Sequence, residues 1–256
     1  MYSLFEKPFF ILGHRGFSEL YPENTMLSFS ACEKDMRIDG IELDVHECRS
    51  GEIVVVHDSN LKRVAGIDAC VEDLTWDEIQ KIDVGTFKSP EFSSCRIPLL
   101  SELFETFGTR FVYDIELKVD KGRKYKKLCD KVWNLICANS LEENVMVSSF
   151  NPFALRFFNK VCMMSIPTAD IYDCNSTVPK MLHHGAGHLV SNSSYSKPDF
   201  TQVNSRFTEK LGLEVITWTV NTREDAMRLM SVPKVKGLIG NNPVLLADCR
   251  DEFAGK

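Results

Sequence analysis

Four short stretches of the chain carry side chains able to bind a cation, move protons and hold an anion. They are Gly13-His14-Arg15-Gly16, Ile41-Glu42-Leu43-Asp44-Val45, Val54-Val55-Val56-His57-Asp58 and Asp114-Ile115-Glu116-Leu117-Lys118. Glu42 and Asp44 lie two residues apart, as do Glu116 and Lys118, so on extended backbone each pair shares a face. Carboxylates gathered on neighbouring strands repel one another, and their burial is costly unless a cation compensates. A divalent metal is the simplest compensation. An all-oxygen set such as Glu42, Asp44 and Glu116 favours Mg²⁺ or Ca²⁺, with Mn²⁺ a third candidate, over zinc, which prefers nitrogen and sulfur donors. His14 and His57 are then free to move protons, and two imidazoles suit a reaction that deprotonates a nucleophile and protonates a leaving group. Arg15 and Lys118 offer fixed positive charge to the oxygens of an anion. Together these parts fit a phosphodiester.

Such groups must be held at strand ends. Short β-branched or aromatic runs alternate with amphipathic segments along all 256 residues, and no Pro/Gly/Ser linker divides them. That rhythm predicts an α/β fold with parallel strands. The extended candidates are 9–13, 40–45, 52–57, 111–117, 145–150, 162–166, 187–191, 214–220 and 235–239. A parallel crossover needs a dozen or more residues, and far fewer separate Val45 from Ile53, so those two runs form an antiparallel hairpin turning at Arg49-Ser50-Gly51. Folding about that turn sets Asp44 opposite Val56 and brings His57 alongside Glu42 and Asp44. The other eight runs close a (β/α)₈ TIM barrel, one domain over 1–256 whose chemistry sits at the carboxyl ends of its strands. Helices are expected over 23–35, 124–138 and 222–230, the last capped by Thr222 or Asn221. Residues 59–110 are too long for one crossover; they read as an insertion over the barrel mouth with helical pieces at 75–82 and 99–107.

With 44% hydrophobic and 26% charged residues, the chain can bury a core and is not disordered. A net charge of −6 and a pI of about 5.6 speak against a nucleic-acid partner, since wrapping phosphates needs a basic surface. No apolar run approaches the roughly 18 residues of a membrane span, so no stable membrane insertion is expected. The nine cysteines are odd in number and never spaced C-x-x-C, which reads as reduced thiols in a cytoplasmic protein, and the first residues lack a secretory signal pattern. Trp76 and Trp133 sit at amphipathic spacing and read as packing residues. His183-His184-Gly185-Ala186-Gly187-His188 is a poor zinc site, because its glycines disfavour the helix that would align His184 with His188. The basic stretch 118–127 reads as a solvated helix face beyond Lys118.

Taken in order, His14-Arg15-Gly16, Pro22-Glu23-Asn24-Thr25, Glu42-x-Asp44-Val45, His57-Asp58, Glu116-x-Lys118 and Trp218-Thr219-Val220-Asn221 resemble the glycerophosphodiester phosphodiesterase family, over nearly the whole chain. The resemblance implies a TIM barrel that hydrolyses small-molecule glycerophosphodiesters to sn-glycerol 3-phosphate and an alcohol. It implies metal ligands at Glu42, Asp44 and Glu116 and an acid/base pair at His14 and His57. Phe150 and Trp218 match apolar positions that line the family's substrate cleft. Glu23 and Asn24 read as residues that open the first helix and brace the His14 loop. One departure is Gly240-Asn241-Asn242-Pro243, where the family usually has Asp in place of Asn241. His57-Asp58 also occurs in HD phosphohydrolases, but on a helix, whereas Ile53-Val54-Val55-Val56 is a strand former. Two rival readings remain: a phospholipase D-like or cyclising lyase activity on lysophospholipids, and a non-catalytic barrel that binds a phosphorylated ligand.

Overall fold

In the computed structural model, which describes residues 9–119, 125–174, 180, 183–204, 206 and 210–255, eight parallel strands close on themselves. The strands are β1 (Phe10–His14), β2 (Gly40–Glu47), β3 (Ile53–Val55), β4 (Val112–Leu117), β5 (Val145–Ser149), β6 (Thr168–Tyr172), β7 (Tyr195–Pro198), β8 (Glu214–Thr217) and β9 (Val235–Gly240). Their order is β1-β9-β8-β7-β6-β5-β4-β2, with β1 pairing back onto β2. The ninth strand, β3, runs antiparallel to β2 with Val45 opposite Val55, and Val56 N donates to the Asp44 carbonyl at 2.9 Å. Gly51 holds the connecting turn at φ +104°, a conformation that needs the missing side chain. The result is the expected (β/α)₈ barrel with its hairpin.

Alternation along the strands separates two environments. On β2 and β4, Ile41, Leu43, Val45, Tyr113, Ile115 and Leu117 face outward into a core shared with the surrounding helices. The helices packed there include α4 (Leu100–Phe107), α5 (Tyr125–Ala138) and α6 (Pro152–Val161), following α1 (Met26–Glu33), α2 (Lys62–Ala65) and α3 (Trp76–Ile79). Phe10, Leu12, Val112, Met146, Ala169, Tyr195, Ile216 and Ile239 fill the barrel interior. Gly40 lies where β2 presses on β4, and a Cβ there would collide with the Val112 carbonyl oxygen.

Helix boundaries follow local chemistry. Thr25 caps α1, accepting from Ser28 N while the Ser28 hydroxyl accepts from Thr25 N, a reciprocal box that starts the helix later than residue 23. Of the segment expected at 124–138, Lys124 lies outside the described residues, and α5 spans the remainder. Thr222 is the cap of α8 (Arg223–Met230), its hydroxyl accepting from Asp225 N. A last helix, α9 (Pro243–Ala254), closes the described chain.

Two expected strands lie elsewhere. The apolar run 162–166 is the C-cap of α6, Cys162, and a turn in which Met163 and Met164 both take positive φ, and β6 begins only after Pro167. Residues 187–191 form the helical turn α7 (His188–Ser191), and the true strand is the polar Tyr195-Ser-Lys-Pro198. Between β3 and β4, Val64, Val71, Ile79, Ile82, Val84 and Ile97 build a separate small core with Val54 and Val56, while α4 packs into the main one. The part of the insertion with its own core therefore ends before α4.

Candidate active site

The chain reverses sharply after β1, with Arg15 at φ +55° and Gly16 at φ +81°, and this places His14 and Arg15 at the rim. His14 lies in register with Glu42 on β2, its Nε2 3.9 Å from Glu42 Oε2. On the next strand pair, Glu42 faces Asp114 and Asp44 faces Glu116. Glu42, Asp44 and Glu116 each offer one carboxylate oxygen, all within 4.8 Å of one another, and all three residues are buried. Among the described residues no other group of His, Cys, Asp and Glu side chains does this, the 183–188 histidines included.

Cations surround the trio. Lys118 Nζ donates to Glu116 Oε1 at 2.6 Å and lies 2.8 Å from Asp44 Oδ1. Arg15 places Nε 3.4 Å from Asp44 Oδ2, and its backbone N donates to Glu42 Oε2 at 3.1 Å. Asn24, held at φ +53°, donates its amide to Asp44 Oδ2 at 2.7 Å. Burial opposes the ionisation of Asp44, but Lys118 and Arg15 outweigh it and hold its carboxyl well below the usual range. Glu42 goes the other way: burial, then repulsion from Asp44, pushes its carboxyl up, against a partial offset from Lys197. One carboxylate of the cluster is thus poorly compensated by the protein alone. The donor chemistry fits an oxygen-seeking divalent cation.

Lys197 and Asp114 are site residues the sequence reading did not single out. Lys197 is 2% exposed, sits 2.7 Å from Asp114 Oδ2, donates to Ser148 Oγ at 3.1 Å and lies 3.9 Å from Glu42 Oε1. Ser148 in turn donates to Asp114 Oδ1. Asp114 was detectable, since it shares a strand face with Glu116 and Lys118. Lys197 was hidden by the misplaced strand.

The histidines have different backing. His14 Nδ1 meets Asn241 Oδ1 at 2.7 Å; an amide oxygen only accepts, so Nδ1 carries the proton and Nε2 presents its lone pair. Burial, reinforced by Arg15, pushes its pKa down to about 3. His57 Nδ1 meets Asp58 Oδ1 at 2.6 Å. Its pKa is also lowered, by burial first and then by Lys118 and Arg15, while Asp44 pulls it up. Phe150 and Trp218 meet edge to face across the lumen with ring centroids 5.7 Å apart, and Trp218 Nε1 donates to the Lys197 carbonyl. All the residues expected at the site therefore converge at one end of the barrel.

Glu23 does not open α1, which Thr25 caps; it braces the loop after β1 instead. Its carboxylate takes Arg15 Nη1 at 2.9 Å and both terminal nitrogens of Arg63, at 2.6 and 2.9 Å. Lys88, farther along the insertion, donates to the carbonyls of Ser18 and Glu19 at 2.8 Å each. The insertion is thereby tied to the loop that carries His14 and Arg15.

Residues 14–245 match the glycerophosphoryl diester phosphodiesterase family. A glycerophosphodiester phosphodiesterase of Caldanaerobacter subterraneus subsp. tengcongensis is 32% identical over 240 residues, covering 92% of this chain and 95% of that protein. A human lysophospholipase D is 35% identical over 127 residues, 47% of this chain and 40% of its own. Among solved structures, an Oleispira antarctica phosphodiesterase in complex with its product sn-glycerol-3-phosphate superposes with a TM-score of 0.81 at 21% identity, covering 97% of this chain and 99% of that one. No helix among the described residues is long and apolar enough to cross a membrane.

Proposed function

The chain belongs to the glycerophosphoryl diester phosphodiesterase family, and on that premise we propose that it hydrolyses glycerophosphodiesters to sn-glycerol 3-phosphate and an alcohol. The observation that carries this reading is the buried trio Glu42, Asp44 and Glu116 with His14 and His57 at the adjoining strand ends. These carboxylates would hold Mg²⁺ or Ca²⁺, which supplies charge neutralisation for the trio and for the oxygens of a phosphodiester. Arg15 and Lys118 add positive charge at the same rim. Phe150 and Trp218 give the glycerol carbons an apolar wall.

The two imidazoles divide the proton work. His14 is backed by a neutral amide and offers an Nε2 lone pair, which suits the general base. His57 is backed by a carboxylate, which stabilises an imidazolium and suits the acid that protonates the departing alcohol. Removing an acid matters less when the leaving group needs no proton. His57→Ala should therefore lose roughly 10²–10⁴-fold in kcat on glycerophosphocholine but much less on a p-nitrophenyl ester, while His14→Ala loses comparably on both. The opposite pattern exchanges the roles, and near-normal turnover of both variants removes the histidines from the mechanism.

The activity itself is tested by stripping the protein with chelator and assaying glycerophosphocholine and glycerophosphoethanolamine. Turnover should vanish and return with Mg²⁺ or Ca²⁺, giving sn-glycerol 3-phosphate. Full activity after exhaustive chelation refutes the metal role, and absence of turnover on every glycerophosphodiester favours a binding barrel. We read the nine cysteines, odd in number and never spaced C-x-x-C, as thiols of a reducing, cytoplasmic setting. A second reading, action on lysophospholipids, is favoured by the human relative and by Leu20 and Phe87, 53% and 66% exposed on the two loops that Lys88 joins. Release of lysophosphatidic acid, or of a stable cyclic phosphate, from lysophosphatidylcholine would identify it.

A further inference from the structure

Arg63 lies outside the six motifs named above. It sits on α2, a four-residue helix of the insertion, yet all three of its guanidinium nitrogens reach toward the site. Nε meets Asp58 Oδ2 at 2.6 Å, while Nη1 and Nη2 take the two oxygens of Glu23 at 2.9 and 2.6 Å. Each carboxylate passes the contact inward, Asp58 Oδ1 to His57 Nδ1 at 2.6 Å and Glu23 Oε1 to Arg15 Nη1 at 2.9 Å.

The two arms are not equal. If Arg63 is removed, Glu23 keeps Arg15. Asp58 keeps only the imidazole that it has to hold, and half its anchoring is gone. A carboxylate fixed at one oxygen can direct the other; one fixed only by its target cannot. The planar fork also matters, because three donors at set angles span two carboxylates at once and an ammonium does not.

We propose that Arg63 is a positioning residue for the hydrolysis: it locks Asp58, and through Asp58 it keeps the His57 ring in its working orientation with the proton on Nδ1. This rests on the two-histidine reading above. The insertion then supplies part of the acid/base machinery.

The test is a variant series read in two ways. Arg63→Gln should lower kcat on glycerophosphocholine about 10- to 100-fold, with KM changed less than about threefold. In a His57→Ala background the same substitution should lower kcat no further, because the ring it positions is gone. Arg63→Lys, which keeps the charge but not the fork, should also lose kcat, and it serves in place of Arg63→Gln should that variant not fold. The second readout is the imidazole proton spectrum of ¹⁵N-labelled protein, in which the Nδ1–H resonance of His57, identified by its absence in His57→Ala, should vanish or broaden in Arg63→Gln. Wild-type kcat in both Arg63 variants, an undiminished effect in the His57→Ala background, or an unchanged Nδ1–H resonance overturns the proposal. If His57→Ala turns over normally while the resonance still responds to Arg63, the catalytic reading of His57 fails and the positioning contact stands.

Discussion

Replacing Lys197 by Met tests how the floor of the site is held. The ammonium is 2% exposed and 2.7 Å from Asp114 Oδ2, so at an effective dielectric of about 20 the gross attraction is about 6 kcal/mol, most of it offset by the desolvation of both charges. Removing one partner exposes that desolvation penalty. Asp114, which is 0% exposed, would keep the Ser148 hydroxyl on Oδ1 and lose its cation. The expected loss is about 3–5 kcal/mol, or about 10 °C in Tm for a chain of this size. Burial works against the charge on Lys197 but Asp114 and Glu42 hold it on, so no deprotonation softens the loss at neutral pH. Urea unfolding followed by tryptophan fluorescence gives the midpoint and slope. The double variant Lys197→Met/Asp114→Asn keeps an acceptor for Ser148 and removes the stranded charge, so it should recover most of the stability. A single variant within about 1 kcal/mol of the parent, or a double variant no better than the single, refutes the argument.

Three further outcomes follow from other positions. Asp170 is 3% exposed, and burial alone pushes its carboxyl up to about 7. The folded state therefore binds a proton that the unfolded state releases near pH 4, and stability falls as pH rises from 4 through 7; Asp170→Asn should remove that slope, gaining up to about 4 kcal/mol at pH 8 relative to pH 4 in matched denaturation curves. Asn241→Asp keeps the acceptor for His14 but adds a charge, so the acidic limb of the kcat/KM profile should move up by about one pH unit, and an unmoved limb would separate His14 from that limb. Gly40→Ala forces a methyl into the Val112 carbonyl within a closed sheet and should destabilise by about 3 kcal/mol or more, read as a lower melting temperature or insoluble expression.

The strands of the candidate site were legible because alternation does the work there. Glu42 and Asp44 interleave with Ile41, Leu43 and Val45, which places the acids in the lumen and the aliphatics against the helices once the barrel is recognised. The short connection at Gly51 announced the hairpin. Lys197 escaped because its strand contains Ser, Lys and Pro and offers no β-branched run, its polar groups being satisfied by Asp114 and Ser148 from other strands. The run 162–166 misled for the opposite reason: only Cys162 and Ile166 are buried, Met163 and Met164 are exposed in the turn after α6, and their positive φ angles are invisible in residue types. Arg63 could not be read at all, since its partners lie 5 and 40 residues away along a path set only by the folded insertion.

The small apolar nucleus beneath the insertion has a further consequence. Because Val64, Val71, Ile79, Ile82, Val84 and Ile97 share one small core with Val54 and Val56, this segment is a self-cored cap seated on the hairpin and separate from the main core. Transplanting it between relatives should change which alcohols are accepted while leaving bond cleavage in place. The graft succeeds only when its donor returns a guanidinium to the spot that Arg63 occupies.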